Sequence, residues 1–284
     1  MLKYLAPAKI NLVLEVLGKR DDGYHEIRSL VQAISLCDTL TFELSDTVSL
    51  KCSQPSLEAP DNLVIKAAEL LRQAGGHRKG ARIKLEKRIP WGAGLGGGSS
   101  DAAAALLALN TLWGLKLTTP ELINIAAKLG SDVPFFIYRG AAVVEGRGEK
   151  VNPVQVSARS WFVLLVPPLP KIPDKTRRLY AGLDKHHFTD GHYVEAALKC
   201  WSKNLPVAPD LLFNVFDTVA IETFTGLEDY RKRFEEAGAK NIQLAGSGPA
   251  LFATVDSESR AKELQRRLRR QKLETHAVST ILKI

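Results

Sequence analysis

Cysteine is scarce in this chain. Cys37, Cys52 and Cys200 are odd in number, lie far apart and form no CxxC pair, which argues against a disulfide framework and a zinc knuckle. No apolar run approaches the roughly 18 residues that a membrane helix needs. The longest runs, 102–109 and 161–166, have the length of core elements. The segment Met1-Leu2-Lys3-Tyr4-Leu5 has no extended apolar stretch followed by a cleavage site, so a secretory leader is not expected. Together these absences lead to the expectation of a cytoplasmic protein without a membrane partner. Internal repeats and low-complexity segments are also lacking, and no dedicated carboxylate cage for a metal is visible.

What is present is an ordinary globular composition. The 284 residues are 45% hydrophobic and 25% charged, and a chain of this size needs no covalent staple to fold. The net charge of +8 suits a phosphate-bearing ligand without establishing nucleic acid as the partner.

Patterning divides the chain. Residues 9–17 and 31–44 are β-rich, with a turn at Asp21-Asp22-Gly23. Leu63, Ala67, Leu70, Leu71 and Ala74 follow helical spacing after Asn62. Residues 81–89 read as a half-buried strand, in which Ala81, Ile83 and Leu85 alternate with Arg82, Lys84 and Glu86. An alanine-rich helix is expected from about Ser100 to Trp113, and another with Thr119 as its cap and Pro120 at its first position. Residues 141–145 and 161–166 read as strands, helices dominate 176–237, and two short strands surround Gly246-Ser247-Gly248. A basic helix at about 257–271 precedes a terminal strand. The texture changes near Asn152-Pro153, so two domains are expected, 1–153 and 154–284.

The stretch Pro90-Trp91-Gly92-Ala93-Gly94-Leu95-Gly96-Gly97-Gly98-Ser99-Ser100 carries the most information. Five of the seven residues from Gly92 to Gly98 are glycine, so backbone N–H groups can approach an anion closely. A helix N-terminus follows and adds its unpaired N–H groups, with Ser99 and Ser100 expected at the cap. GxGxxG is satisfied by residues 92–97, but about 20 residues on, where a dinucleotide fold needs a ribose-binding acid, a helix begins. A Walker A loop needs Lys before Ser/Thr, and Gly98 stands there. A linker is not normally bracketed by an alternating strand and a helix. Ala245-Gly246-Ser247-Gly248-Pro249-Ala250 is weaker, a hairpin turn unless the two halves of the chain share a site.

Lys9 interrupts an apolar strand, and Asp132 precedes an apolar run that would shield it. Two readings stand side by side. The two form an acid–base pair that works on a hydroxyl, or Lys9 is solvated at a strand edge and Asp132 shapes a turn.

Residues 7–12, 90–103 and 245–252 resemble, in order, the three motifs of the GHMP kinase superfamily. Gly23-Tyr24-His25-Glu26, Asp61-Asn62-Leu63-Val64, 96–101 and 131–135 are similar to one branch of it. The resemblance implies an α+β, two-domain fold: a ribosomal-S5-like N-terminal domain and a ferredoxin-like C-terminal domain. It implies that Pro90, Gly92, Ala93, Gly94, Leu95, Gly96, Gly97, Gly98, Ser99 and Ser100 hold the phosphates of ATP, with Asn62 near the adenine. Mg2+ would arrive with ATP and touch Ser100. Lys9 and Asp132 would be catalytic, with Asp132 activating the 2-hydroxyl of a cytidine diphosphate-linked methylerythritol, a small-molecule substrate. Tyr24 and Tyr180 would sandwich the cytosine, and His25, Asn11 and Thr176 would line the substrate. Relatives often carry Ser-Thr where this chain has Lys175-Thr176. Related kinases of mevalonate, homoserine or a sugar are the alternative, since their substrates offer no base to stack.

A nucleic-acid-binding reading rests on residues 260–272, where seven basic residues face one acid. Ala261, Leu264 and Leu268 lie at helical spacing, so a packed helix with a solvated basic side fits better. No nucleic-acid partner is therefore expected; a monomer or weak homodimer is the expectation for the assembly, which no feature of the sequence derives.

Overall fold

The two β-rich segments near the start of the chain become long strands, β1 (Leu2–Lys19) and β2 (His25–Ser45). In this computed structural model, which describes residues 1–156 and 158–282, both strands run through two compact units. One unit holds residues 1–8, 36–91 and 96–139, and the other 9–35, 92–95 and 140–284. The division interleaves the chain and falls inside the glycine loop.

In the first unit β3 (Ser49–Cys52) runs parallel to β4 (Gly80–Glu86), and β4 is antiparallel to β2 in the register Thr39↔Glu86 to Ser45↔Gly80. The expected alternation is observed, with Ala81, Ile83 and Leu85 buried and Arg82, Lys84 and Glu86 exposed, but the strand ends at Glu86 rather than running on to Ile89. Helix α1 (Leu63–Ala74) starts and ends where the spacing places it, because the Asn62 side chain accepts a hydrogen bond from the Val64 amide. Four more helical turns of alanine and leucine form α2 (Gly97–Leu112), followed by α3 (Thr119–Leu129) and α4 (Val133–Tyr138). The cap of α3 is Thr118 rather than Thr119. Thr118 and Glu121 close a reciprocal capping box, which puts Pro120 one position further in.

In the second unit β2 pairs antiparallel with β5 (Ala141–Gly146), β5 with β6 (Lys150–Val154), and β1 runs parallel to β8 (Phe213–Asn214). A second sheet has the order β11 (Glu274–Ser279), β7 (Trp161–Val166), β10 (Leu251–Val255) and β9 (Gln243–Leu244), with every neighbouring pair antiparallel. Numbered by appearance that order is 4-1-3-2, the ferredoxin-like arrangement. Between β7 and β9 run α5 (Lys175–Ala181), α6 (His192–Ser202), α7 (Ala220–Thr223) and α8 (Leu227–Glu236). Helix α9 (Glu258–Arg270) joins β10 to β11 and buries Ala261, Leu264 and Leu268. At about 2 kcal/mol for each fully buried leucine, that inward stripe accounts for the helix, and its arginines occupy the other side. Leu164 and Phe252 of the central strands are fully buried. Among the described residues no helix is long and apolar enough to cross a membrane.

Candidate active site

Three segments far apart in sequence interlock within the second unit. The Lys9 amide donates to the Leu95 carbonyl at 2.9 Å, and the Asn11 amide to Ala245 at 3.0 Å. The Ala250 amide donates to Ala93 at 3.2 Å. The start of the glycine loop, 92–95, and the second glycine segment, 245–250, therefore lie against the same stretch of β1. Their approach is too close for side chains. A Cβ on Gly94 would lie 2.5 Å from the Gly248 nitrogen, and one on Gly248 would lie 2.2 Å from the Ala93 oxygen. The second glycine segment is thus a hairpin turn and also one wall of this site.

Lys9 is 7% exposed. Its Nζ donates to Asn11 Oδ1 at 2.5 Å, Asn11 Nδ2 donates to Ser29 Oγ at 2.7 Å, and Ser29 donates to the Val13 carbonyl at 2.6 Å. The relay fixes the ammonium beside Gly246, where a Cβ would stand 2.8 Å from Nζ. Asn11 thereby serves Lys9, a role that needed Ser29 and was not visible in the motif. From the first turn of α5, Lys175 Nζ donates to the Gly92 carbonyl, and Thr176 Oγ1 is 2.9 Å from Ser247 Oγ.

The aromatic residues expected around the cytosine each have a neighbour of their own. Tyr180 stacks on His25, with centroids 5.0 Å apart and planes 18° off parallel, and Phe188 meets the same imidazole edge-on at 6.0 Å. Tyr24 is 56% exposed, with the Arg147 guanidinium 4.7 Å above its ring. Burial, helped by the charge of Lys19, holds the His25 pKa below its ordinary value. At neutral pH the ring is therefore uncharged, with one nitrogen free to donate and one to accept.

In the first unit, α2 begins at Gly97, so the last two glycines of the loop form its opening turn. Gly96 is the cap and offers no side chain, which moves Ser99 and Ser100 from the expected cap position into the first turn. Ser100 Oγ is buried without a hydrogen-bond partner. A buried orphan hydroxyl at the start of a 16-residue helix fits a phosphate chain and the hard cation that accompanies it. Pro90 is half-buried at the loop's entrance. Asn62 spends its side chain on the helix cap and on the Leu57 carbonyl, 2.8 Å from Nδ2. Asp132 is exposed, although Val133, Pro134, Phe135 and Phe136 after it are buried. The apolar run turns inward one residue too late to shield it.

The first unit also holds a charge cluster that the sequence reading missed. Lys87 Nζ donates to Asp101 Oδ2 at 2.7 Å and to Asp38, with side chains only 3%, 4% and 0% exposed in that order. Asp38 also accepts the Arg88 and Ile89 amides and so pins the chain just ahead of the loop. Burial pushes the Asp101 pKa up to about 7; Lys87 pulls against this and Asp38 adds to it. Burial lowers Lys87, but Asp101 and Asp38 outweigh it and leave its pKa raised. The Asp101 shift is thus mainly one of burial, whereas the Lys87 shift reports the two carboxylates that share its ammonium.

Comparison with known proteins agrees with this geometry. The GHMP kinases N terminal domain matches residues 62–140 and the GHMP kinases C terminal domain residues 194–274. A 4-diphosphocytidyl-2-C-methyl-D-erythritol kinase of Dehalococcoides mccartyi is 46% identical over 99% of both chains. The crystal structure of a 4-(cytidine 5'-diphospho)-2C-methyl-D-erythritol kinase superposes with a TM-score of 0.84 at 35% identity, covering 98% of this chain and 99% of the other. A homoserine kinase from Cytophaga hutchinsonii shares the fold at a TM-score of 0.76 but only 18% identity, over 99% and 95% of the two chains. The chain belongs to the GHMP kinases and, within them, to the 4-diphosphocytidyl-2-C-methyl-D-erythritol kinases.

Proposed function

We propose that this kinase transfers the terminal phosphoryl group of ATP to the 2-hydroxyl of 4-diphosphocytidyl-2-C-methyl-D-erythritol, in isoprenoid precursor synthesis by the non-mevalonate route. The observation that carries the reaction class is the interlock of 92–95, 245–250 and the Lys9 strand by backbone hydrogen bonds. The substrate follows the relatives that match over nearly their whole length. Phosphoryl transfer asks the protein mainly for positioning and charge stabilisation. The glycine-lined loop and the first turn of α2 hold the phosphates, with Asn62 toward the adenine. Lys9, fixed by Asn11 and Ser29, neutralises charge on the group in flight. Asp132 takes the proton from the attacking 2-hydroxyl. Mg2+, when bound with the nucleotide, spreads the phosphate charge, and Ser100 is the side chain that would hold it. Tyr24, His25, Thr176 and Tyr180 form the cytidine subsite, where a neutral imidazole suits the polar edge of a base. The two domains are 1–153 and 154–284. The enzyme works in the cytoplasm as a monomer or weak homodimer on small molecules, without nucleic acid or membrane.

ADP release from purified protein with ATP and Mg2+ tests this reading. Turnover is expected with the cytidine compound and not with mevalonate or homoserine, and Asp132→Asn should bind ATP yet lose kcat about a hundredfold or more. Turnover with either other alcohol would overturn the cytidine subsite. Near-normal kcat in Asp132→Asn would remove that residue from catalysis.

A further inference from the structure

The surroundings of Lys175 are those of a working group. It is half-buried in the first turn of α5 and reaches across to the Gly92 carbonyl, the first glycine of the loop. Its neighbour Thr176 is tied to Ser247 at 2.9 Å, so both glycine segments anchor this turn. Burial, and after it the charge of Lys9, lowers the Lys175 pKa to about 8. Among the described residues no carboxylate forms an ion pair with Lys175. Lys175 thus spends its charge on a neutral backbone carbonyl, and an ammonium placed so gains when an anionic oxygen takes that carbonyl's place.

We propose that Lys175 is a second phosphate-binding cation of the active site, acting beside Lys9 on an oxygen of a bound polyphosphate. The ammonium leaves a neutral carbonyl partner for a charged oxygen, a stronger bond in the same place. Two ligands present that chemistry, the phosphate chain of the nucleotide and the diphosphate of the cytidine compound. The polyphosphate class follows from the kinase reading. Binding is measured without turnover, so a failed assay and a failed Lys175 role are told apart.

The test is calorimetric titration of wild type, Lys175→Met and Lys175→Arg with ATP and, separately, with cytidine 5'-diphosphate. Lys175→Met should weaken one of them about tenfold to a hundredfold, and Lys175→Arg should restore most of the loss. A loss confined to ATP assigns the nucleotide chain, and a loss confined to cytidine diphosphate assigns the substrate side; either supports the role. Between pH 7 and 9 the wild type should lose affinity for that ligand as the ammonium titrates, while Lys175→Arg, which stays charged, should lose less. Unchanged affinities for both ligands in folded Lys175→Met would overturn the proposal. Should that variant not fold, an identical pH dependence in wild type and Lys175→Arg would overturn it instead.

Discussion

Lys87, just ahead of the glycine loop in the first unit, and Lys175, bonded to Gly92 in the second, are a buried and a half-buried lysine whose ammonium groups meet opposite surroundings. Lys87 is shared by two carboxylates that are themselves almost fully buried, and its pKa is raised. Lys175 docks on a neutral carbonyl, and its pKa falls to about 8 through burial and then Lys9. Burial acts on both in the same direction, so the sign of the shift reports the charge each lysine already has beside it. A lysine whose charge is answered inside the protein is scaffold. One that pairs with no carboxylate among the described residues is open to the anionic oxygen of a ligand. Lys87 thus holds the segment ahead of the loop through Asp38, and Lys175 equips the loop's first glycine.

The largest effect that would break this contrast is on stability. Lys87→Met leaves Asp38 and Asp101 buried without their counter-ion, a change that costs about 3–5 kcal/mol. In a chain of this size that corresponds to a fall in Tm of roughly 10 °C. Lys175→Met, which strands no buried carboxylate, should melt within about 2 °C of wild type. Equal Tm losses in differential scanning calorimetry would show that both lysines are structural.

A second measurement sharpens the account of Lys87 through its partner. The Asp101 pKa is raised in the fold from 3.8 to about 7. Between those values the folded protein keeps a proton that the unfolded chain has released. Stability from this group therefore falls as pH rises from about 4 to about 7 and is level above that. Asp101→Asn removes the fall, leaves Lys87 paired with Asp38 alone, and should melt at or above the wild-type temperature at pH 8. Tm measured from pH 5 to 8 should slope downward in wild type relative to the variant. Parallel curves would mean that Asp101 is ionised throughout and fully compensated.

The two lysines were not equally legible. Elements set by local chemistry were: α1 follows from Asn62 and apolar spacing, and α9 from Ser257 and the Ala261, Leu264, Leu268 stripe. Where several residues competed to start a helix, the register slipped. Thr118 won over Thr119 because its amide and hydroxyl both reach Glu121. Gly97 and Gly98 joined α2 although glycine is a poor helix former, since the first turn needs few intrahelical bonds. The three kinase motifs could be read because each is a continuous string. The Lys87 cluster could not, for Asp38 lies 49 residues from Lys87 and its pairing depends on β2 meeting β4. The Lys9–Asn11–Ser29 relay is half motif and half tertiary, and only its first half was visible. Lys175 was seen as a departure from the family pattern, but its partner Gly92 is 83 residues away.

The smallest test concerns how Lys175 is held in place. Ser247 Oγ and Thr176 Oγ1 share one neutral hydroxyl hydrogen bond at the surface, worth about 0.5–1.5 kcal/mol. If that bond serves to aim the first turn of α5, Ser247→Ala should weaken the Lys175-dependent ligand by roughly twofold to tenfold. Its Tm should stay within about 2 °C of wild type. The informative step is the double variant. Ser247 acting through Lys175 predicts that Ser247→Ala adds nothing once Lys175→Met is present, because the group it aims is gone. Losses that simply add in calorimetric titration would instead place Ser247 in its own contact with the ligand. Lys175 would then be equipped by its position on Gly92 alone.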